Sequence, residues 1–332
     1  MTSQASAASR LTIEVDPSHK RTRNFAKDVL EGLSKHPKKI LPLYLYDERG
    51  SKLFEEICRL PEYYITRIEH GILKANASEI VSCSGGRMAL VELGSGSSFK
   101  TRILIEALLA RQRSLRYFPI DISESIIMES SRQLMQDYPK LKISAHVAEF
   151  SAGVHRMALE TLDQKMVLFL GSNLGNFDPQ DARDFLLKLR RELSQQDYLL
   201  LGTDMQKDAS VLEPAYDDRQ GVTAEFNLNL LRRINRELAG EFELEGFSHV
   251  AFYNGEENRI EMHIRSNKTQ EVYIGVLQRS FSFLPGETIH TENSYKYSVD
   301  QIAGISAEAG FKVVNRWEDE RGYFSLNLLV PA

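Results

Sequence analysis

The sequence predicts an α/β protein: a parallel-type, Rossmann-like sheet with helices on both faces, joined to a second α+β domain. Two observations predict the sheet. Short continuous apolar runs, MALVEL (88–93), the start of KMVLFLGSNLGN (165–176) and DYLLLGTD (197–204), read as strands buried on both faces. Amphipathic stretches alternate with them, and a parallel sheet needs such crossovers. A third observation predicts the second domain: residues 207–296 break the alternation with a helical region followed by a period-two pattern.

Taken in order, the small, polar residues 1–20 read as a flexible arm. RNFAKDVLEGLSK (23–35), SKLFEEIC (51–58) and residues 72–83 carry helical apolar spacing. The strand MALVEL ends in glycines and leads directly into the helix TRILIEALLARQ (101–112). RYFPID (116–121) is a strand ending in an acid, 123–138 a helix, and KISAHVAEF (142–150) the next strand. The helix 178–193 has Pro179 near its start, where a missing N–H is harmless. Inside the interruption, 222–238 reads as a helix. FSHVAFYNGEENRIEMHIRS and QEVYIGVLQRSFSFLPG read as an antiparallel sheet with turns at Asn254-Gly255 and near Asn267. The tail resumes the first pattern with a helix at 298–310 and strands in FKVVNRWEDE and YFSLNLLV. The domains expected are therefore 69–206 with 297–332 for the sheet, and 21–68 with 207–296 for the α+β part.

A net charge of -5 gives no electrostatic reason to expect nucleic acid. Two cysteines, Cys58 and Cys83, do not make a disulfide framework and suit a reducing compartment. No apolar run approaches the roughly 20 residues that span a bilayer. A cytoplasmic protein without membrane partners is expected. The eight histidines show no ligand spacing in the sequence, so no metal is expected either.

The chemistry concentrates at LVELGSGSSFKTR. Gly94 to Thr101 is one residue away from a phosphate-binding loop, but Phe99 stands where the glycine before the lysine belongs. Phe99 also replaces the third glycine of a dinucleotide fingerprint, which disfavours a nicotinamide-linked dehydrogenase. Glycines serving packing alone remain possible. The surroundings favour another ligand. Glu92 precedes Gly94, Ser95 and Gly96; Asp121 ends the next strand, placed for ribose hydroxyls; Glu149 and Phe150 end the third, an acid and a ring suited to adenine. Lys100 could pair with a carboxylate. A ligand with adenosine and a carboxylate but no phosphate is S-adenosylmethionine.

Longer strings then carry a resemblance: LPEYYITR (60–67), GSNLGN (171–176), PAYDDRQGVTAEFN (214–227), NRIEM (258–262) and TENS (291–294). With ELGSGSSFKTR they resemble the histidine-specific, S-adenosylmethionine-dependent Nα-methyltransferases of ergothioneine biosynthesis, from about Leu41 to the C-terminus. The resemblance implies a class I methyltransferase sheet plus a substrate domain, with histidine held between them, and a monomer. It implies that Tyr63, Asn176 and Tyr216 hold the amino and carboxylate groups, that Glu292 and Ser294 read the imidazole, that Met262 forms an apolar wall, and that Tyr46 lies close by. Asn176 and Tyr46 are the residues expected nearest the reacting amine. The implied activity is three successive methylations of histidine, giving Nα,Nα,Nα-trimethylhistidine (hercynine), the first step of that pathway. Two positions depart from the family pattern: Glu149 stands where Asp is common, and Asn293 where an apolar residue is common.

Taken singly, these residues also read as ordinary structure. Tyr63 could be a core aromatic, Asn176 a cap for the helix that follows, Met262 a core residue, and Glu292 and Ser294 exposed strand positions. An alternative activity is the same transfer to another amino acid or an aromatic amine such as a tryptophan derivative; Glu292 favours imidazole. A binding protein without catalysis is the remaining class, and an intact substrate constellation argues against it.

Overall fold

The structure is a computed structural model and describes residues 10–16, 24–83, 86–161 and 163–332. In chain order its principal elements are β1 (Leu11–Val15), α1 (Phe25–Ser34), β2 (Lys38–Lys39), α2 (Glu48–Ile57), α3 (Tyr64–Ile80), β3 (Met88–Leu93), α4 (Thr101–Arg111), β4 (Leu115–Asp121), α5 (Glu124–Asp137), β5 (Leu141–Val147), α6 (Phe150–Glu160), β6 (Gln164–Phe169), α7 (Pro179–Arg191) and β7 (Tyr198–Asp204). There follow α8 (Val222–Leu238), β8 (Phe247–Asn254), β9 (Arg259–Ser266), β10 (Gln270–Ile274), β11 (Arg279–Phe283), β12 (Thr288–Tyr295), α9 (Val299–Glu308), β13 (Phe311–Glu318) and β14 (Phe324–Pro331). The chain divides into two compact units. Among the described residues, one takes 10–16, 65–206 and 296–332, the other 24–64 and 207–295.

The first unit is built on one eight-stranded sheet in the order β1-β5-β4-β3-β6-β7-β14-β13. The strands from β1 to β7 run parallel, and β14 lies antiparallel to both β7 and β13. Order reverses at β3, which has β4 on one side and β6 on the other. Leaving β1 aside, this is the seven-strand order of the class I methyltransferase sheet, and the reversal marks where such sheets bind ligands. The apolar runs are buried as their composition requires: β3 along its whole length, β6 and β7 at all but the first residue. At the end, α9 opens with a capping box, Ser298 and Gln301 satisfying each other's backbone N–H.

Three expectations need correction. Of the expected flexible arm, 1–9 and 17–20 lie outside the described residues. Residues 11–15 form β1, in register with β5 from Leu11 opposite Ile143 to Val15 opposite Val147. The apolar residues Leu11, Ile13 and Val15 of LTIEV alternate with Thr12 and Glu14, and Arg10 donates to the carbonyls of Pro139 and Leu141 at 2.9 and 3.0 Å, holding the strand to that edge. The helix expected at 72–83 starts earlier: α3 runs unbroken from Tyr64 to Ile80. The strand expected to reach residue 150 ends at Val147, because Glu149 already takes the N-cap position of α6.

In the second unit a four-stranded sheet has the order β2-β12-β9-β8, with β9 antiparallel to both neighbours and β2 parallel to β12. The single antiparallel sheet expected there is two: β10 and β11 form a separate two-stranded sheet. Cross-strand pairs show which residues share a face. Met262 lies opposite Glu292 and Ala251; Ile260 opposite Ser294; Ile264 opposite His249. Residues of α8 reach the His249 side of the sheet, since Asn227 Nδ2 bonds to His249 Nδ1 at 2.9 Å. Glu261, His263, His290 and Asn293 occupy the opposite face.

Glu92, on β3, shows what the parallel core demands of a charge. It is 3% exposed and accepts hydrogen bonds from the Thr101 and Tyr117 hydroxyls. Burial pushes its carboxyl from 4.5 up to about 7, against the opposing pull of those two hydroxyls. The folded form therefore binds this proton more tightly than the unfolded chain, so its contribution to stability is full below about pH 4.5 and falls as pH rises through 7. Glu92→Gln keeps the shape and cannot ionise. Its stability relative to the parent should rise by about 2 kcal/mol between roughly pH 5 and pH 8, read from urea midpoints. A difference that stays flat over that range would show that Glu92 is held ionised instead.

Candidate functional site

The carboxyl ends of β3, β4 and β5 carry the loop predicted from the glycines. Gly94 and Gly96 have φ of 72° and 47°, a region that favours glycine. A Cβ at Gly94 would come within 2.9 Å of Asn173 Nδ2, so a side chain there would displace Asn173 as well as strain the backbone. The Gly96 N–H donates to Asp121 Oδ2 at 3.0 Å and the Ser123 N–H to Oδ1 at 2.9 Å. Asp121 is thus held at the strand end by a backbone N–H on each of its oxygens. Ser95 is 5% exposed, and its hydroxyl has no hydrogen-bond partner. Glu149 precedes α6, and the Phe150 ring stands edge-on to Phe169 at 5.4 Å and Phe185 at 6.0 Å. Glu92 lies beneath the loop, bonded to Thr101 and Tyr117, a bracing position that differs from the direct ligand contact expected of it. Phe99 is 55% exposed and stacks on His70 at 4.9 Å.

Lys100 closes the loop, and its ammonium pairs with Glu69 of α3. Sequence reasoning missed Glu69. It is fully buried, and each of its oxygens lies 2.9 Å from the Gly171 N–H. A Cβ at Gly171 would lie 3.4 Å from Lys100 Nζ. One carboxylate therefore ties the β3–α4 loop to the β6–α7 loop. Within the latter, Ser172 has φ of 59° and its Oγ accepts from the Asp204 N–H at 3.0 Å. The loop ends in the short turn Asn173–Asn176. Asp178, not Asn176, holds the N-cap position of α7, so the capping role considered for Asn176 is not the one it has.

The second unit gathers the other predicted residues. Tyr63 and Tyr216 are 7% and 6% exposed, with ring centroids 6.2 Å apart. The Tyr216 hydroxyl lies 2.8 Å from Ser294 Oγ. Tyr46 packs against Phe54 at 5.5 Å and Phe226 at 5.4 Å, and Phe54 against Tyr63 at 6.2 Å. Met262 is buried opposite Glu292. Burial, then the neighbouring Tyr216, Cys58, Tyr46 and Glu292, holds the Tyr63 phenol well above its ordinary pKa. It is a neutral hydrogen-bonding group throughout the physiological range. Glu292 and Ser294 are buried rather than exposed strand residues.

Behind these side chains stands a network that the sequence did not announce. Asn227 is fully buried on α8. Its Nδ2 donates to His249 Nδ1 and to the His263 carbonyl, both at 2.9 Å, and its Oδ1 accepts from Thr291 Oγ1 at 2.7 Å. His249 Nε2 then donates to the Tyr216 carbonyl at 2.8 Å. With one nitrogen accepting and the other donating, His249 is neutral, and burial lowers its pKa to match. One asparagine thereby couples α8, β8, β9, β12 and the backbone that carries Tyr216. The only trace in the sequence was the string PAYDDRQGVTAEFN, which ends at Asn227.

The sheet-edge residues fit an adenosine bearing an amino-acid tail. The glycine cradle would be closed by a Cβ, the Ser95 hydroxyl lacks a partner, Asp121 is pinned at the strand end by two backbone N–H groups, and Lys100 stands beside Gly171.

Comparison with known proteins then fixes the family. A sequence model described as histidine-specific methyltransferase, SAM-dependent, matches residues 25–331. The chain is 40% identical over 304 residues to the histidine N-alpha-methyltransferase of Mycolicibacterium smegmatis, covering 92% of this chain and 94% of that protein. It is 41% identical over 302 residues to the enzyme of the same name from Mycobacterium tuberculosis, covering 91% and 93%. It is 33% identical over 315 residues to ergothioneine biosynthesis protein 1 of Neurospora crassa, covering 89% of this chain and 33% of that longer protein. A match over nearly the whole length, on a sheet with the class I order, means that this chain belongs to the histidine-specific, S-adenosylmethionine-dependent methyltransferase family.

Proposed function

We propose that this protein transfers methyl groups from S-adenosylmethionine to the α-amino group of L-histidine, three times, giving Nα,Nα,Nα-trimethylhistidine (hercynine) at the start of ergothioneine biosynthesis. The observation that carries the reading is the arrangement on β12: Glu292 and Ser294 share one buried face, with Met262 opposite Glu292 and the Tyr216 hydroxyl on Ser294. An acid and a hydroxyl on alternate positions suit the donor and acceptor nitrogens of an imidazole. Family membership supports the same substrate. A cytoplasmic monomer is part of the proposal, and no helix among the described residues is long and apolar enough to cross a membrane.

S-Adenosylmethionine supplies a methyl group on a sulfonium, which leaves by in-line attack, so the protein's work is positioning and desolvation. On this reading Gly94, Ser95 and Gly96 admit the donor, Asp121 holds its ribose, Glu149 and Phe150 its adenine, and Lys100 its carboxylate, while Glu92 braces the loop from beneath. Tyr63, Asn176 and Tyr216 hold the amine and carboxylate of histidine, with Tyr46 beside them. The attacking amine must be neutral. Phenols and an amide hold it without stabilising an ammonium as a carboxylate would. They also demand few N–H donors, so one, two and three methyl groups are tolerated. Met262 walls the ring, and Glu292 penalises side chains that leave its carboxylate unsatisfied.

The direct experiment incubates the purified protein with S-adenosylmethionine and each standard amino acid and looks for masses raised by one, two and three methyl groups. Histidine should give the trimethylated product; product from tryptophan and none from histidine would overturn the substrate. Glu292→Ala should lower kcat/KM for histidine about 10–100-fold and leave donor affinity unchanged; equal losses in both would remove Glu292 from specificity. The paired change Lys100→Gln with Glu69→Gln removes both charges together, so neither is left buried alone. It should weaken donor binding about tenfold by calorimetry, and an unchanged affinity would mean that Lys100 does not hold the donor's carboxylate.

A further inference from the structure

The face of the second unit's sheet opposite Met262 and Glu292 carries a cluster that the proposed reaction does not use. Glu261 and His263 are two apart on β9 and so point to the same side. His290 on β12 lies directly opposite His263 in the pairing, and Asn293 opposite Glu261. One ligating atom from each of Glu261, His263 and His290 lies within 4.8 Å of the other two. We propose that these three side chains form a binding site for a divalent transition metal that bridges β9 and β12.

Several details suit that use. Glu261 Oε1 accepts from Asn254 Nδ2 and Arg259 Nε, both at 2.9 Å, which fixes the carboxylate. Its other oxygen, Oε2, is directed at His263 Nε2 at 3.1 Å. His263 Nδ1 is buried and has no hydrogen-bond partner. His290 Nε2 donates to Asn293 Oδ1 at 2.7 Å, which orients the ring and leaves Nδ1 its lone pair. Phe252 stacks on His263 with centroids 5.4 Å apart and shields one flank. Tetrahedral coordination at metal–ligand lengths near 2.1 Å puts ligand atoms about 3.4 Å apart. Side-chain rotation alone closes the remaining gap, since the pairing of β9 with β12 already brings the backbones together.

The charges nearby select the metal. Arg259 is matched by Glu261 at 2.7 Å, but Lys39 also acts on His290, so the surroundings do not favour a cation through charge alone. That disfavours Ca²⁺ and Mg²⁺, which need several hard oxygen ligands. Two imidazoles and one carboxylate suit Zn²⁺, Cu²⁺ or Ni²⁺, whose bonds to nitrogen compensate. The first unit holds a second cluster, Glu14, His146 and Glu160, but there Arg156 reaches Glu14 at 3.3 Å and the glutamate is 46% exposed. It serves as an internal comparison.

The site does not depend on the substrate reading, and its test uses no substrate, because free histidine would itself chelate the probe. The full chain, stripped with a chelator, is titrated with Zn²⁺ alone by calorimetry, and its unfolding temperature is followed. One zinc per chain is expected, with a rise in unfolding temperature. His263→Ala and His290→Ala should each weaken binding at least a hundredfold and abolish the rise. Asn293→Ala should weaken it about 10–100-fold, and His146→Ala should change nothing. His290→Gln, with the metal-free unfolding temperature of every variant, separates loss of a ligand from loss of the fold. No zinc binding by the parent chain, binding unchanged in both His263→Ala and His290→Ala, or binding lost in His146→Ala would each overturn the proposal.

Discussion

The first unit's ligand edge depends on one buried carboxylate. Glu69 is fully desolvated, a state that costs several kcal/mol unless it is paired and hydrogen-bonded. It receives the Lys100 ammonium and the Gly171 N–H, so the loops after β3 and β6 are fixed to the same two oxygens. A Cβ at Gly202 on β7 would lie 2.2 Å from Glu69 Oε1, so this third strand must carry glycine where the carboxylate passes. Strand order in the sheet reverses between β3 and β6. There Glu69 sets the spacing of the two loops that any ligand at the reversal must meet. Glu92 does the corresponding work beneath the first loop, but through hydroxyls and without a cation at bonding distance. The two buried acids are partnered differently: Glu69 has the Lys100 ammonium, and Glu92 the Thr101 and Tyr117 hydroxyls.

The second unit relies on alternation. Because successive strand residues face opposite ways, β9 and β12 present two unrelated chemistries within one pair of strands. Met262, Glu292 and Ser294 share one face; Glu261, His263, His290 and Asn293 share the other. A register slip of one residue would exchange them. Asn227 opposes such a slip by holding the His263 carbonyl and the Thr291 hydroxyl at once. Thr291 sits in the irregularity between His290 and Glu292, where the pairing shifts. The bulge lets His290 and Glu292, two residues apart, emerge on opposite faces.

Much of this was legible in the sequence, for definite reasons. Parallel strands buried on both faces must be continuously apolar, so β3, β6 and β7 announced themselves. Positive φ requires glycine, so Gly94 and Gly96 marked the loop. The acid ending β4 was visible because βαβ units place it one step from the glycines. What escaped was of another kind. Strand β1 was hidden in polar surroundings and is defined by its pairing with β5, more than a hundred residues away in sequence. Glu69 sits in a helix with no local sign that Lys100 is its partner. Asn227 looked like any polar helix residue, since its three partners, His249, His263 and Thr291, come from three different strands. The histidines showed no ligand spacing because His263 and His290 meet only through the register of β9 and β12. Local patterns betray backbone needs; cross-strand partnerships of polar side chains need the fold.

The distribution of charge between the units follows the chemistry proposed for each. The sheet edge assigned to the methyl donor is rich in ions, with Glu69, Lys100 and Asp121 each fixed by hydrogen bonds. Such groups can hold a zwitterionic tail and a ribose, neither of which must change protonation. The group of residues assigned to histidine is dominated by phenols, and Tyr63 is held firmly protonated by its burial and its neighbours. A carboxylate placed beside the amine would stabilise its ammonium form and slow every methylation. Glu292 is therefore useful only if it is kept to the ring end of the substrate. Its position opposite Met262, with Ser294 two residues further along the same face, is where a ring with one donor and one acceptor nitrogen would place that demand. On the proposed reading, selection of histidine and activation of its amine fall to different side chains: Glu292 serves the ring, and the phenols, with Tyr63 held protonated, serve the amine.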